Sequence, residues 1–168
     1  TRTLNNMMKQ WIESLAGEES PVQVIWQTGK FYEREMQEFL AAYPTNGIWQ
    51  GAFIERMDYA YEAADLVISR AGASSISELC LLGKASILVP SPNVAEDHQT
   101  HNAMALVRKD AAVLVKDVDA HDMLIATALT LIHDEQRLTT LQRNILTLAL
   151  PDSARIIAAE GMKLAKKQ

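Results

Sequence analysis

The sequence has little cysteine, no long apolar run and no excess of positive charge, and each lack excludes a class of protein. One cysteine, Cys80, among 168 residues cannot form an internal disulfide and gives no metal-site spacing. No stretch reaches the ~20 apolar residues that a membrane-spanning helix requires, and the amino terminus resembles no signal peptide. A formal charge of −5 disfavours a general nucleic-acid surface. We therefore expect a soluble protein of a reducing compartment, without a nucleic-acid partner.

The common glycine-rich phosphate motifs are also missing. Neither G-x-G-x-x-G nor G-x-x-x-x-G-K-[ST] occurs, and a G-x-S-x-G nucleophile elbow is excluded because Ile76 stands where the second glycine is required. Instead, an apolar run at residues 65–69 leads through Arg70-Ala71-Gly72-Ala73 directly into a helix start. The small side chains leave the backbone N–H groups accessible, and the helix adds free donors and the positive end of its dipole. This turn is a candidate phosphate site.

A purely structural interpretation of the same turn stays open at this point. Ser75-Ile76-Ser77-Glu78 has the spacing of a capping box, in which Ser75 would cap the helix and Glu78 would reach back to the cap's own N–H. Small residues at a junction between strand and helix can also serve tight packing alone. The spacing by itself favours the cap over a ligand site.

Short β-rich runs alternate with helical patterns along most of the chain, which is typical of a parallel sheet built from βαβ units. At 168 residues and 48% apolar content we expect one α/β domain, a Rossmann-like doubly wound sheet with carboxyl-terminal helices. The apolar strands at 66–68 and 87–89 are expected to be covered on both faces. The predicted strands are 22–27, 48–53, 66–69, 85–89 and 113–115, and the predicted helices are 31–42, 57–63, 75–82, 99–109, 121–133, 135–148 and 152–167.

The loops that follow the predicted strands carry the candidate ligand groups. In an open α/β sheet, ligands bind beyond the carboxyl ends of the strands, so four loops should share one rim. These loops are residues 27–29, 52–54, 70–75 and 90–99.

Taken together, these segments resemble the carboxyl-terminal, donor-binding half of the MurG family of bacterial peptidoglycan glycosyltransferases. The matching pieces occur in the family's order over about the whole chain, and their combination is specific although no single piece is. They are Trp26-Gln27-Thr28-Gly29-Lys30, Ala52-Phe53-Ile54-Glu55-Arg56-Met57, the run 64–73, Ser77-Glu78, the run 83–90 and Asp97-His98-Gln99 with Asn102-Ala103.

The resemblance implies the two-domain GT-B architecture and a hexosyltransferase activity. Members of the family transfer N-acetylglucosamine from UDP-N-acetylglucosamine to lipid I at the inner face of the bacterial plasma membrane. That reaction belongs to peptidoglycan biosynthesis, and so to cell wall formation, cell division and cell shape. The transfer inverts the anomeric carbon and requires no cofactor or metal, and the family is peripheral to the membrane.

The resemblance also implies roles for particular residues. Ile54 would meet the uracil through its backbone, in a pocket shaped by Phe53 and Met57. Glu78 would hold the ribose hydroxyls, which favours a ligand role over the capping box. The remaining donor-binding candidates are Arg70, Ala73, Ser74 and Ser75 at the diphosphate, and His98 and Gln99 at the sugar.

His98 has two further interpretations. With Asp97 and His101 it could suggest a metal site, but no additional ligand set is evident, and we expect no metal. Asp97 could simply cap the helix that begins near Gln99.

Compared with the family, the sequence begins at the helix that follows the first strand and the Gly-Gly-Ser loop of the carboxyl-terminal domain. We therefore expect residues 1–168 to form one donor-binding domain without that strand, without the loop and without the amino-terminal domain that binds lipid I and supplies the catalytic base. Such a chain should bind donor without completing transfer.

Three other functions remain open from the sequence. A UDP-N-acetylglucosamine 2-epimerase would use a similar donor site, and would convert the free UDP-sugar without an acceptor. A non-catalytic donor-binding subunit would work only after docking a membrane-bound partner. A nucleotide-binding module without sugar specificity would bind UDP and UDP-N-acetylglucosamine equally.

Overall fold

The computed structural model describes residues 2–93, 95 and 98–149. The chain divides into two compact units. Of the described residues, the first unit comprises 2–64 and 115–130, and the second comprises 65–93, 95, 98–114 and 131–149.

The first unit contains a two-stranded parallel sheet flanked by helices. Strand β1 (Val24–Gln27) pairs with β2 (Ile48–Gly51), with Val24 opposite Ile48. The sheet packs through a buried cluster in which Ile12, Trp26 and Met36 are its most enclosed members. Its helices are α1 (Arg2–Ser14), α2 (Glu33–Ala42), α3 (Met57–Ala63) and most of α6 (Ala120–Ile132). A 3-10 turn precedes α2 at Lys30–Tyr32, and another precedes α6 at Asp117–Asp119.

The second unit contains a three-stranded parallel sheet in the order β3-β4-β5. All three residues of β4 are buried, as expected for a central strand. Its elements are β3 (Val67–Ser69), α4 (Ala73–Leu82), β4 (Ser86–Leu88), α5 (His98–Val107), β5 (Val113–Leu114) and α7 (Glu135–Thr147).

The predicted α/β alternation and the parallel pairing are confirmed. The strands are shorter than predicted, and their hydrogen bonds form two sheets, one in each unit. The expectation that the strand at 66–68 is covered on both faces is wrong at Ile68, which is 37% exposed because β3 lies at the edge of its sheet. The predicted helix at 152–167 lies outside the described residues.

Local chemistry explains where α7 begins and where α4 ends. Asp134 caps α7, and its side chain accepts a hydrogen bond from Arg137 N. Gly83 ends α4 in the left-handed conformation, with φ 63° and ψ 40°, which a glycine adopts without steric cost. Of the helices that the structure describes, none combines the length and apolar character needed to cross a bilayer.

Candidate functional site

The turn between β3 and α4 has the geometry expected of an anion site. Helix α4 begins at Ala73, and its N-cap is Gly72, which has extended backbone (φ −68°, ψ 150°) and provides no side-chain cap. Ala73 and Ser74 are exposed, whereas Ala71 is fully buried and anchors the turn. The first turn of the helix therefore presents backbone N–H groups and the positive end of its dipole beside small, accessible residues.

The capping-box interpretation of Ser75 and Glu78 is wrong. Ser75 lies inside the first turn of α4, because the cap is three residues earlier at Gly72, and Ile76 N donates to Gly72 O at 3.0 Å. The spacing predicted a cap, but the extended backbone of Gly72 starts the helix sooner. Glu78 is exposed on α4.

Gln99 is buried and holds two loops together. Its Oε1 accepts hydrogen bonds from Ala71 N at 3.2 Å and from Ser91 N at 2.8 Å. One helical turn further along α5, Asn102 Nδ2 donates to Ala71 O at 3.3 Å. The loop before α4 and the loop before α5 are thus joined through side chains of α5.

Arg70 also joins these two loops, but here the side chain comes from the loop before α4 and binds the backbone of the loop after β4. Its Nη1 donates to Val89 O at 3.2 Å and to Pro90 O at 3.4 Å, at the end of β4. The guanidinium is therefore held beside the turn that leads into α4. In the second unit the structure brings together Arg70, the start of α4 and Gln99, as the parallel-sheet argument predicted for these two loops.

His98 is exposed at the first position of α5. His101 is also exposed, and Asp97 falls outside the described residues, as does its predicted capping role. Among the residues that the structure describes, no group of three or more His, Cys, Asp or Glu side chains is arranged to hold a metal ion.

In the first unit, the loops after β1 and β2 are joined at Ile54. Gln27 Oε1 accepts a hydrogen bond from Ile54 N at 3.0 Å, and Gly29 N donates to Ala52 O at 3.1 Å. Phe53 is 62% exposed, and Ile54 is half-buried. The Ile54 N–H is therefore held by Gln27 at the end of the sheet, beside an accessible aromatic ring.

An ion pair orders the chain between Ile54 and α3. Arg56 binds Asp58 through two hydrogen bonds of 2.8 and 3.1 Å, and its guanidinium lies 3.8 Å from the centroid of the Tyr59 ring. The hydrogen bond from Arg56 lowers the pKa of Asp58. Because the pair is exposed, it orients this loop more than it stabilises the fold. Met57, the first residue of α3, is half-buried just behind it.

Three polar side chains that organise these loops have no role predicted from the sequence. They are Asn5, which binds the end of β1 from α1, together with Gln27 and Asn102. Gln27 and Asn102 lie within the segments that resemble the MurG family, and that location could have indicated a role for them. Asn5 gave no comparable signal, because a polar residue on an amphipathic helix is ordinarily assigned to the solvent face.

Comparison with known sequences gives a consistent result. The profile of the glycosyltransferase family 28 C-terminal domain matches residues 1–157. The UDP-N-acetylglucosamine--N-acetylmuramyl-(pentapeptide) pyrophosphoryl-undecaprenol N-acetylglucosamine transferase of Parabacteroides distasonis is 57% identical over 167 residues, covering 99% of this chain and 45% of that protein. The protein of the same name from Bacteroides thetaiotaomicron is 52% identical over 168 residues, with coverages of 99% and 45%. The chain spans about half the length of these relatives.

Solved structures show the same fold. The crystal structure of Acinetobacter baumannii MurG matches with a TM-score of 0.78 and 29% identity, over 96% of this chain and 48% of that chain. The glycosyltransferase of kitacinnamycin matches with a TM-score of 0.63 at 20% identity, over 92% of this chain and 39% of that one. The second similarity shows the fold alone.

Proposed function

Because the chain belongs to the family of the glycosyltransferase family 28 C-terminal domain, we propose that it binds the donor substrate of an inverting N-acetylglucosaminyltransferase. Residues 1–168 form its donor-nucleotide-binding domain, and the donor is UDP-N-acetylglucosamine. The observation that carries this proposal is the start of α4, where Gly72 leaves the helix without a side-chain cap and Glu78 stands exposed one turn beyond Ser74.

The start of α4 suits a diphosphate. In an inverting transfer the acceptor hydroxyl attacks the anomeric carbon while UDP leaves, so negative charge grows on the β-phosphate. Backbone N–H donors and the helix dipole are already oriented, and they stabilise that charge without reorganising. Ala73, Ser74 and Ser75 supply these groups, and Arg70 provides positive charge nearby.

The resemblance to the family supports the roles of the other donor groups. The Glu78 carboxylate accepts from two vicinal ribose hydroxyls, which fixes the position of the nucleoside as well as adding affinity. The N3–H of uracil donates to the carbonyl oxygen of Ile54, because the Ile54 N–H is already bound to Gln27, and Phe53 and Met57 form the walls of the pocket. His98 and Gln99, at the start of α5, bind the sugar, and the site uses no metal or cofactor.

The activity of the whole protein extends this proposal beyond the chain. The name of these relatives describes transfer to N-acetylmuramyl-(pentapeptide) pyrophosphoryl-undecaprenol, a lipid-linked acceptor. We assign lipid I binding and the catalytic base to an amino-terminal domain, in the part of the relatives that this chain does not span. The complete enzyme then works in peptidoglycan synthesis at the cytoplasmic face of the plasma membrane, and the chain alone binds donor.

Calorimetric titration of the 168-residue chain tests the proposal. UDP-N-acetylglucosamine and UDP should bind, with the sugar nucleotide the tighter of the two. UDP-glucose should bind less tightly than UDP-N-acetylglucosamine, and GDP should bind far less tightly than UDP, because the two-ring guanine is larger than the single ring for which the pocket at Phe53 and Met57 is proposed. Equal affinity for UDP and GDP, or no affinity for any of these ligands, would overturn it.

A further inference from the structure

We propose that Gln99 Oε1 and Asn102 Nδ2 are positioning groups of the donor site, which act on the diphosphate through the backbone of Ala71. The inference rests on the proposed function. It extends that function to Asn102, whose side chain binds the carbonyl oxygen of Ala71, and it gives the buried carbonyl oxygen of Gln99 a second task.

The geometry centres on one fully buried residue. Gln99 Oε1 accepts from Ala71 N at 3.2 Å, and Asn102 Nδ2 donates to Ala71 O at 3.3 Å. Both polar backbone groups of Ala71 are therefore bound by side chains of α5. The two side chains are three residues apart, so they lie on the same face of that helix.

A second contact of Gln99 makes this arrangement a link between loops. The same Oε1 accepts from Ser91 N at 2.8 Å, in the loop that leads to α5. Arg70 Nη1 returns a hydrogen bond to Val89 O at 3.2 Å. The turn before α4 is consequently tied to the neighbouring loop by bonds that originate on both sides.

The link acts on α4 because Ala71 directly precedes the N-cap Gly72. Gly72 has no side chain that could fix the direction of the first helical N–H groups, and a Cβ at this position would meet nothing within 4 Å. The direction of these donors is thus set by the backbone just before them. Small displacements of preorganised donors cost a large part of their effect.

The consequence for binding is selective. Loosening Ala71 should weaken the contact of the diphosphate with the first turn of α4, whereas uridine, expected at Ile54 and at Glu78 beyond that turn, should bind nearly as before. The ratio of UDP to uridine affinity therefore distinguishes a positioning role from a general loss of stability, which would leave that ratio unchanged.

The test compares Asn102→Ala with the unmodified chain, using UDP in calorimetry and uridine in ligand-observed NMR. We expect UDP affinity to fall about tenfold, the equivalent of one lost hydrogen bond, and uridine affinity to change by less than about twofold. Asn144→Ala is the matched control, because Asn144 Nδ2 also donates to a backbone carbonyl, Asp110 O, at 2.9 Å in the same unit. The control should leave both affinities unchanged.

Gln99→Met tests the bond to the N–H of Ala71, so the proposal stays testable if one of the two variants fails to fold. It keeps the length of the side chain and removes the accepting oxygen. In the double variant with Asn102→Ala, the loss of UDP affinity should be smaller than the product of the two single losses, because both act through Ala71.

Three results would overturn the inference. These are an unchanged UDP affinity in Asn102→Ala, an equal loss for UDP and uridine, and losses in the double variant that simply multiply. If the unmodified chain binds neither ligand, the proposed function fails and the inference fails with it. Binding of both ligands with an unchanged ratio rejects the inference alone.

Discussion

Trp26 Nε1 donates a hydrogen bond to Asn5 Oδ1 over 3.0 Å inside the first unit. Asn5 Nδ2 in turn donates to Thr28 O, also at 3.0 Å, and all three residues are buried. One asparagine of α1 therefore satisfies both an indole N–H and a backbone carbonyl next to the end of β1. Without it, both groups would lie buried and unpaired, which costs about 1–3 kcal/mol for each.

We expect Asn5→Ala to lower the free energy of unfolding by about 2–4 kcal/mol, because it leaves two buried polar groups without a partner. Urea denaturation followed by tryptophan fluorescence measures this change. The control is Asn6→Ala, since Asn6 is the exposed neighbour on the same helix and its loss should cost less than about 0.5 kcal/mol. Equal effects of the two substitutions would contradict the network.

Glu78→Ala should weaken UDP binding about 100-fold or more, because two hydrogen bonds to a carboxylate contribute about 1.5–3 kcal/mol each. Glu78 is exposed, so the free energy of unfolding should change by less than about 0.5 kcal/mol. Calorimetry measures the first quantity and denaturation the second. Glu13→Ala, which removes an exposed glutamate of α1, should leave UDP affinity intact. Undiminished affinity in Glu78→Ala would remove the proposed ribose contact.

The pair of Asp110 and Arg137 predicts a pH-dependent contribution to stability. Arg137 Nη1 and Nη2 bind the two carboxylate oxygens at 2.9 and 2.8 Å, and this hydrogen bonding lowers the pKa of Asp110 below its ordinary value. A carboxylate with a lowered folded-state pKa stabilises the fold above its unfolded pKa of about 3.9, and this contribution is lost as the pH falls through the folded value.

Asp110→Asn should therefore destabilise the chain near neutral pH, and the difference from the unmodified chain should shrink below about pH 4. Asparagine suits the exchange because Asp110 has a φ of 53°, which asparagine also tolerates. Urea denaturation across the pH range measures the difference. In an Arg137→Met background the pH-dependent part should disappear, and its persistence there would assign it to another group.

Gly83→Ala should lower the free energy of unfolding by about 1–3 kcal/mol, because alanine is strained in the left-handed conformation and its Cβ would crowd a neighbour. An added Cβ would lie 2.7 Å from Leu146 Cγ on α7. Thermal and urea denaturation measure the cost. Gly72→Ala is the control, since its φ is negative and its Cβ would meet nothing within 4 Å. A similar loss in both variants would contradict the steric argument.

The sequence predicted elements well where local chemistry decides them. Helix α3 has the predicted bounds, Met57–Ala63, and the parallel pairing follows from the alternation of strands and helices. The start of α4 was predicted two residues too late, because the extended backbone at Gly72 leaves no mark on the spacing of Ser75 and Glu78.

Features that depend on distant contacts could not be predicted in the same way. The burial of Gln99 arises from its hydrogen bond to Ala71, which lies 28 residues earlier in the chain. The exposure of Ile68 depends on which strand takes the edge of the sheet, and its own apolar sequence suggested the opposite. In both cases the pattern gave the type of element correctly and left its neighbours undetermined.

Cys80 offers a way to observe α4 directly. Its thiol is buried on that helix, and burial raises the pKa of the thiol. While the helix is folded, poor access and a low fraction of thiolate therefore both suppress alkylation. Since the chain contains no second cysteine, the rate of modification by a maleimide reports how often this one helix opens. A nucleotide seated at the amino end of α4 would then reveal itself by slowing a reaction at the opposite end of the helix.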